Sequence, residues 1–176
     1  MRIITGQYKG RHFDIPRTFK ARPTTDFAKE NIFNVLNGYL DFEGSTALDL
    51  FAGTGSISLE LLSRGCQQVV CVELDRDHHR FITDCLKRLG TEACLPIRGD
   101  VFRFLKSCHQ QFDLVFADPP YALEQIPRLP DLVFEHQLLK ENAVFVLEHG
   151  KGNDFSQHPH FVEHRAYGSV NFSLFR

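Results

Sequence analysis

No apolar stretch in the chain approaches the ~18 residues that a membrane-spanning helix requires. The opening residues, Met1-Arg2-Ile3-Ile4-Thr5-Gly6, also lack the apolar core of a secretory signal, so a cytoplasmic location is expected. No two of Cys66, Cys71, Cys85, Cys94 and Cys108 stand in Cys-x-x-Cys spacing, and their number is odd. That disfavours zinc and redox roles and leaves reduced, mostly buried thiols as the expectation. His149, His158, His160 and His164 lie close together in sequence, but without carboxylate or cysteine partners at ligand spacing, and no metal is expected. Repeats and low-complexity tracts are also missing. What remains is ordinary globular composition, 43% hydrophobic and 24% charged, and 176 residues suit one domain with a full-sized core.

Net charge is scarce too, only −2, which by itself argues against a general nucleic-acid binder. Its distribution argues the other way. Residues 1 to 30 carry seven basic side chains (Arg2, Lys9, Arg11, Arg17, Lys20, Arg22, Lys29) against three acidic ones, +4 in all, and the rest of the chain carries −6. A basic arm on an acidic body can bind phosphates. The arm, residues 1–24, is the one separable piece and reads as a small hairpin.

Past the arm, Thr24 or Thr25 can cap a helix whose stripe is Ala28, Ile32, Leu36 and Leu40. From residue 46 onward, strand-like and helix-like segments alternate. Strands are expected at Ala47 to Phe51, Val69 to Val72, Cys94 to Ile97, Phe112 to Ala117 and Ala143 to Leu147. Helices are expected at Ser56 to Arg64, up to Gly90, at Val101 to Ser107 and, after the breaks at Pro127 and Pro130, at Asp131 to His136. Such alternation predicts an α/β fold, a mostly parallel sheet covered by helices on both faces. The last two segments, Phe161 to Tyr167 and Val170 to Phe175, are joined too tightly for a crossover and predict an antiparallel hairpin at the sheet edge.

Ligands of open parallel sheets bind beyond the carboxyl ends of the strands. The first strand here ends in Asp49-Leu50-Phe51-Ala52-Gly53-Thr54-Gly55, whose glycines allow a sharp turn. The third glycine of the dinucleotide fingerprint is replaced by Ser58, and no Gly-Lys-Ser/Thr follows to make a phosphate loop. Glu73 ends the second strand and can accept both ribose hydroxyls of an adenosine. Asp100 ends the third and can accept from the adenine amino group, with the Val101 N–H near the ring. Asp49 would repel a pyrophosphate and attract a ligand with an ammonium and a sulfonium, which favours S-adenosylmethionine over NAD. The fourth strand runs into Asp118-Pro119-Pro120-Tyr121. Both prolines fix φ and lack N–H groups, so their carbonyls are expected to point outward without rival donors. A carboxylate and a carbonyl beside an aromatic ring suit a planar group bearing an NH2, as in a nucleobase.

Nearly end to end, the chain resembles the bacterial family of small-subunit (16S) ribosomal RNA guanine-N2 methyltransferase D. The likeness rests on Arg2-Ile3-Ile4 with Lys9-Gly10-Arg11, on Arg22-Pro23-Thr24-Thr25-Asp26 with Phe33-Asn34-Val35-Leu36, on the Asp49-to-Gly55 loop, on Asp118 to Tyr121, and on Tyr167-Gly168. The helix after Asp26 usually carries arginines where this chain has Phe27 and Lys29. The resemblance implies a Rossmann-like class I methyltransferase with a seven-stranded sheet over residues 25–176. It also implies methyl transfer from S-adenosylmethionine to N2 of one guanine in 16S rRNA, in an assembled or assembling small subunit, by a monomer without metal or membrane.

Motifs and resemblance together assign Asp118, Pro119, Pro120 and Tyr121 to catalysis. Asp49, Phe51, Gly53, Gly55, Glu73, Leu74, Asp100 and Val101 go to the cofactor, and Lys9, Arg11, Lys20 and Arg22 to RNA. Rival readings are an adenine-N6 methyltransferase using the same turn, and a protein glutamine methyltransferase, in which Asn is expected at position 118. A noncatalytic RNA-binding assembly factor and a NAD-dependent oxidoreductase are more distant.

Overall fold

The computed structural model describes residues 1–21 and 23–176. Strands β1 (Thr46–Leu50), β2 (Gln68–Glu73), β3 (Cys94–Arg98), β4 (Phe112–Ala117) and β5 (Leu139–His149) pair in parallel. Strands β6 (Phe161–Tyr167) and β7 (Val170–Phe175) form the antiparallel hairpin, and β7 pairs antiparallel with β5 as well. The order is β3-β2-β1-β4-β5-β7-β6, so the chain reverses its direction of travel across the sheet between β1 and β4. A crevice opens there at the carboxyl ends of the strands.

Strand alternation divides the core in two. Ala47, Val69, Cys71, Phe116 and Val146 face α1 (Asp26–Leu36), α2 (Ser56–Ser63) and α3 (Arg76–Leu89). Leu48, Leu50, Val72, Val115 and Leu147 face α4 (Val101–Ser107) and α5 (Leu129–Glu135). Asp49, Asp118 and Glu148 share the parity of the first set. All five cysteines are free thiols, four of them buried.

Local chemistry sets the helix ends. The Thr25 hydroxyl accepts the Ala28 N–H at 3.2 Å and starts α1, leaving Thr24 free to face the crevice. The helix ends at Leu36, so Leu40 lies past the stripe it was expected to extend. Asp75 caps α3, Lys87 and Arg88 occupy its last turn, and Gly90 closes it in the left-handed region. Pro127 and Pro130 start helical turns rather than break them: a 3-10 turn at Ile126–Arg128 leads into α5, and each proline occupies an early position where a missing N–H costs nothing. Strand β5 is eleven residues long, beyond the Ala143-to-Leu147 core, because Leu139 pairs with Phe112 and His149 with Asn171.

The N-terminal segment does not form a free arm. Its hairpin closes through a single bridge between Arg2 and His12, with the Ile3 N–H on the Arg11 carbonyl at 3.0 Å. Ile3 and Phe13 are buried in the main core, each contributing about 2 kcal/mol by burial. The fully buried Glu60 carboxylate on α2 accepts the backbone N–H groups of Ile4 (2.8 Å) and Thr5 (3.1 Å). Arg64 Nε (2.9 Å) and Lys29 Nζ (3.6 Å) neutralise that carboxylate. Phe19 then packs on His78 and Phe81 of α3, and Lys20, Ala21, Pro23 and Thr24 come back over the crevice.

Candidate active site

A cleft of about 980 Å³ occupies the crevice. Its floor comes from the ends of β1, β2 and β4 and the start of α4, and its roof from Lys20, Ala21, Pro23 and Thr24. It takes in Asp49, Phe51, Gly53, Glu73, Leu74, Asp100, Val101, Asp118, Pro119, Pro120 and Tyr121. Gly55 is assigned to the cofactor by sequence but does not line it. At φ 80°, Gly55 caps α2, and a Cβ there would stand 2.9 Å from Ile82 Cγ1, so its role is packing against α3.

The glycine loop is held by an acid. The Gly53 N–H donates to Glu73 Oε1 at 2.7 Å, and the Asp75 N–H to Oε2 at 2.8 Å. Each oxygen keeps a lone pair for a hydroxyl. Phe51 adopts φ 60°, a left-handed conformation that a non-glycine residue holds at a cost of about 1–2 kcal/mol, and its ring meets Phe102 edge-on across 6.3 Å. Asp100 caps α4 by accepting the Arg103 N–H at 3.0 Å, which engages one oxygen only. Leu74 is 64% exposed and supplies apolar wall.

Asp49 is 1% exposed and accepts from Ser58 Oγ at 2.7 Å. Burial pushes its pKa up to about 7 against the hydroxyl's opposing effect, and the Glu73 charge adds to the rise. Among the described lining residues the acids face one lysine, Lys20. A buried carboxylate with no cation of its own at the bottom of an acidic, partly apolar cleft fits a cationic ligand such as S-adenosylmethionine. It does not fit a pyrophosphate.

The turn after β4 differs from expectation at one atom. The Leu123 N–H donates to the Pro120 carbonyl at 2.9 Å and closes a tight turn, so that carbonyl is taken, while Pro119 has no protein donor among the described residues. The Asp118 N–H continues the sheet ladder to the Leu50 carbonyl at 3.2 Å, which fixes the residue at the cleft floor. Tyr121 is 47% exposed, with its ring against Gly150. Its hydroxyl donates to Glu148 Oε2 at 3.1 Å.

Glu148 was not singled out from sequence. It ends β5 beside Asp118 and lines the same cleft, 5% exposed. The strand-end rule that selected Asp49, Glu73, Asp100 and Asp118 also reaches it, once β5 is known to continue past Leu147. Asp118 is held well above the ordinary carboxylate range, first by burial and then by sharing a hydrogen bond with Glu148 and by its charge.

The residues assigned to RNA scatter. Lys20 roofs the cleft. Exposed Lys9 and Arg11 lie at the far ends of α2 and α3, where the Gln7 N–H bonds the Ser63 carbonyl at 2.8 Å and Arg11 Nη2 the Arg88 carbonyl at 3.1 Å. Arg22 lies outside the described residues. Lys29 is buried, with Nζ on the Arg2 carbonyl at 2.7 Å and on Ser56 Oγ at 3.0 Å, and burial lowers its pKa. Phe27 is 62% exposed, edge-on to Tyr167 at 6.1 Å. Of the histidines, His158 meets the Asp131 carboxylate at 2.8 Å, a partner distant in sequence, and His149 meets Ser173 Oγ at 2.7 Å. Among the described residues no three metal-ligating side chains converge.

A family model described as "Conserved hypothetical protein 95" matches residues 1–176. The "Ribosomal RNA small subunit methyltransferase D" of Haemophilus influenzae is 32% identical over 185 aligned positions, covering 100% of this chain and 93% of its own length. The chain belongs to the methyltransferase D family. "Putative rRNA methyltransferase YlbH" of Bacillus subtilis is 37% identical over 155 residues, 86% of this chain and 83% of the relative. The solved structure "Putative methyltransferase yhhF from Escherichia coli" superposes with a TM-score of 0.86 at 27% identity, covering 99% of this chain and 96% of that one. The sheet order and the helices on both faces are those of the Rossmann-like class I methyltransferases, and the cleft of this family member lies at their common ligand-binding edge.

Proposed function

We propose that this protein transfers a methyl group to the exocyclic N2 of a guanine in 16S rRNA, with S-adenosylmethionine as donor. The observation that carries the proposal is the single cleft joining the Asp49-to-Glu73 half to the Asp118-to-Tyr121 half. When bound, S-adenosylmethionine supplies an electrophilic sulfonium methyl and leaves as S-adenosylhomocysteine. The fit of the chain's own groups follows from charge and shape: Asp49 faces the cationic end, Glu73 the ribose and Asp100 the adenine amino group, between the apolar walls of Phe51, Leu74 and Val101.

The guanine leaves its stack to enter the remaining space, at a cost of a few kcal/mol. Asp118 and the Pro119 carbonyl each accept one N2–H, which favours a pyramidal, nucleophilic nitrogen. Tyr121 stacks on the base. N2 gains the methyl and gives up one proton, which a cleft carboxylate accepts, so Asp118 need not be a strong base. Orientation of this kind can recover roughly 7–11 kcal/mol of barrier. Lys20 bears on RNA phosphate at the rim, while Lys9 and Arg11 bear on phosphates farther along the RNA. The substrate implies a cytoplasmic site of action, and both domains act together, residues 1–24 as docking segment and 25–176 as catalytic body.

The test is transfer of labelled methyl from S-adenosylmethionine to small subunits from a strain lacking the enzyme, with nucleoside analysis of the product. N2-methylguanosine is expected. Label in N6-methyladenosine would move the target to adenine, and cofactor binding without transfer to RNA would revive a protein substrate or a noncatalytic role. Asp118→Ala should abolish turnover while cofactor affinity stays nearly intact, and substantial residual activity would overturn its role.

A further inference from the structure

Glu148 stands beside Asp118 at the end of the neighbouring parallel strand, since Ala117 and Leu147 are in register and adjacent strands lie ~4.8 Å apart. It is 5% exposed yet lines the cleft. Its oxygens are held separately: Thr24 Oγ1 donates to Oε1 at 3.3 Å and the Tyr121 hydroxyl to Oε2 at 3.1 Å. Each oxygen has two lone pairs; one of the two that remain is engaged in the hydrogen bond shared with Asp118, which leaves one acceptor open to the cleft. No lysine or arginine neutralises it among the described residues lining its side of the cleft. A buried, oriented carboxylate with an acceptor to spare and no counter-ion calls for a donor from the substrate.

Guanine offers such a donor. Its N1–H lies directly beside the 2-amino group, so when Asp118 holds N2, the neighbouring carboxylate faces N1. Adenine presents a bare N1 lone pair at the corresponding edge, which a carboxylate repels. On the guanine-N2 reading above, we propose that Glu148 is the specificity-determining residue, accepting the guanine N1–H while Asp118 accepts from N2. Thr24 and Tyr121 are the positioning residues that aim it. The same geometry makes the pair a two-point reader of the base edge, with the acceptor for methyl and the discriminating hydrogen bond on adjacent strand ends.

The test uses small subunits reconstituted with 2-aminopurine in place of the methylated guanine, against subunits carrying guanine. This base keeps the 2-amino group and has an unprotonated N1. Wild type should prefer guanine in kcat/KM by about 30-fold, within the range of one good base-edge contact. Glu148→Gln should lose about 100-fold on guanine and bring the two substrates within about threefold, because the carboxamide can donate to a bare N1. Calorimetric binding of S-adenosylmethionine should change by less than about threefold in the variant, which establishes that its cleft is intact. Equal turnover of both bases by wild type overturns the proposal without reference to any variant, and so does a folded Glu148→Gln that keeps the wild-type preference. Those results, with N2-methylguanosine still the product on guanine, would leave the guanine-N2 reading standing. Wild-type label in N6-methyladenosine would remove both.

Discussion

Asp49 should make the ligand-free protein less stable than it would be without that charge. Its pKa rises from an ordinary 3.8 to about 7 because the side chain is buried, with Ser58 as its hydrogen-bond donor. Since the folded value lies above the unfolded one, the native state retains a proton that the unfolded chain has lost between about pH 4 and pH 7, and stability falls as pH rises through that window. At 1.36 kcal/mol for each tenfold change in proton affinity, the penalty is about 2 kcal/mol at pH 5 and about 4 kcal/mol at pH 8. Asn at position 49 keeps the shape and can still accept from Ser58, but carries no charge to desolvate. Asp49→Asn should therefore melt about 10 °C above wild type at pH 8 without ligand, and by roughly half that at pH 5. S-adenosylmethionine at about 1,000 times its Kd should close the gap at pH 8, stabilising wild type by about 4 kcal/mol and leaving the variant nearly unmoved. Differential scanning calorimetry at the two pH values, with and without the cofactor, measures all four quantities. A ligand-free variant no more stable than wild type at pH 8, or a gain independent of pH, would refute the reasoning.

Asp118 must present an acceptor, and burial beside Glu148 holds its pKa well above the ordinary carboxylate range, so kcat/KM should fall as pH drops through an acidic limb clearly above 3.8. Stopped methyl-transfer assays across pH would detect a limb at the ordinary value instead. Glu60→Gln leaves Lys29 and Arg64 without their buried anion and should cost about 3–5 kcal/mol in urea denaturation, a loss of under 1 kcal/mol being inconsistent with the buried network. Tyr121→Ala should raise KM for subunits about tenfold or more by loss of stacking, with calorimetric cofactor affinity unchanged. Lys20→Ala should reduce the slope of log affinity against log salt by about one, and an unchanged slope would remove Lys20 from the phosphate contacts.

The strand ends were legible because a parallel sheet concentrates polar residues where apolar runs stop, and Asp49, Glu73, Asp100 and Asp118 all follow such runs. Glu148 escaped because Lys140-Glu141-Asn142 blur the start of β5, and its continuation to His149 depends on pairing with β7, which no local pattern reveals. The Pro120 carbonyl was misjudged for a related reason: losing two N–H groups removes donors at 119 and 120 but not at Leu123. The arm's charges were plain, while its burial was not. Ile3 and Phe13 are isolated apolar residues in a polar stretch, and the acid that anchors them, Glu60, lies 56 residues from Ile4. Lys29 and Phe27 likewise look alike in position on α1, yet one points into the Glu60 network and the other out beside Tyr167.

The place of β7, between β5 and β6, has a kinetic consequence. Tyr167 pairs with Val170 across a two-residue turn containing Gly168 at φ 64°, so the hairpin can form by itself in roughly 1–10 μs. Its inner edge can dock only after β5 has been recruited to the parallel sheet, whose crossovers make it slow to assemble. The hairpin therefore arrives as a finished unit, and its docking is a late step that also fixes the end of β5. A substitution at Gly168 that resists the left-handed conformation should therefore speed unfolding more than it slows refolding, while leaving the chemistry of the assembled cleft untouched. The rate at which this protein becomes competent is thus set by assembly of the parallel sheet, with the hairpin waiting at its edge, remote from every group that touches a substrate.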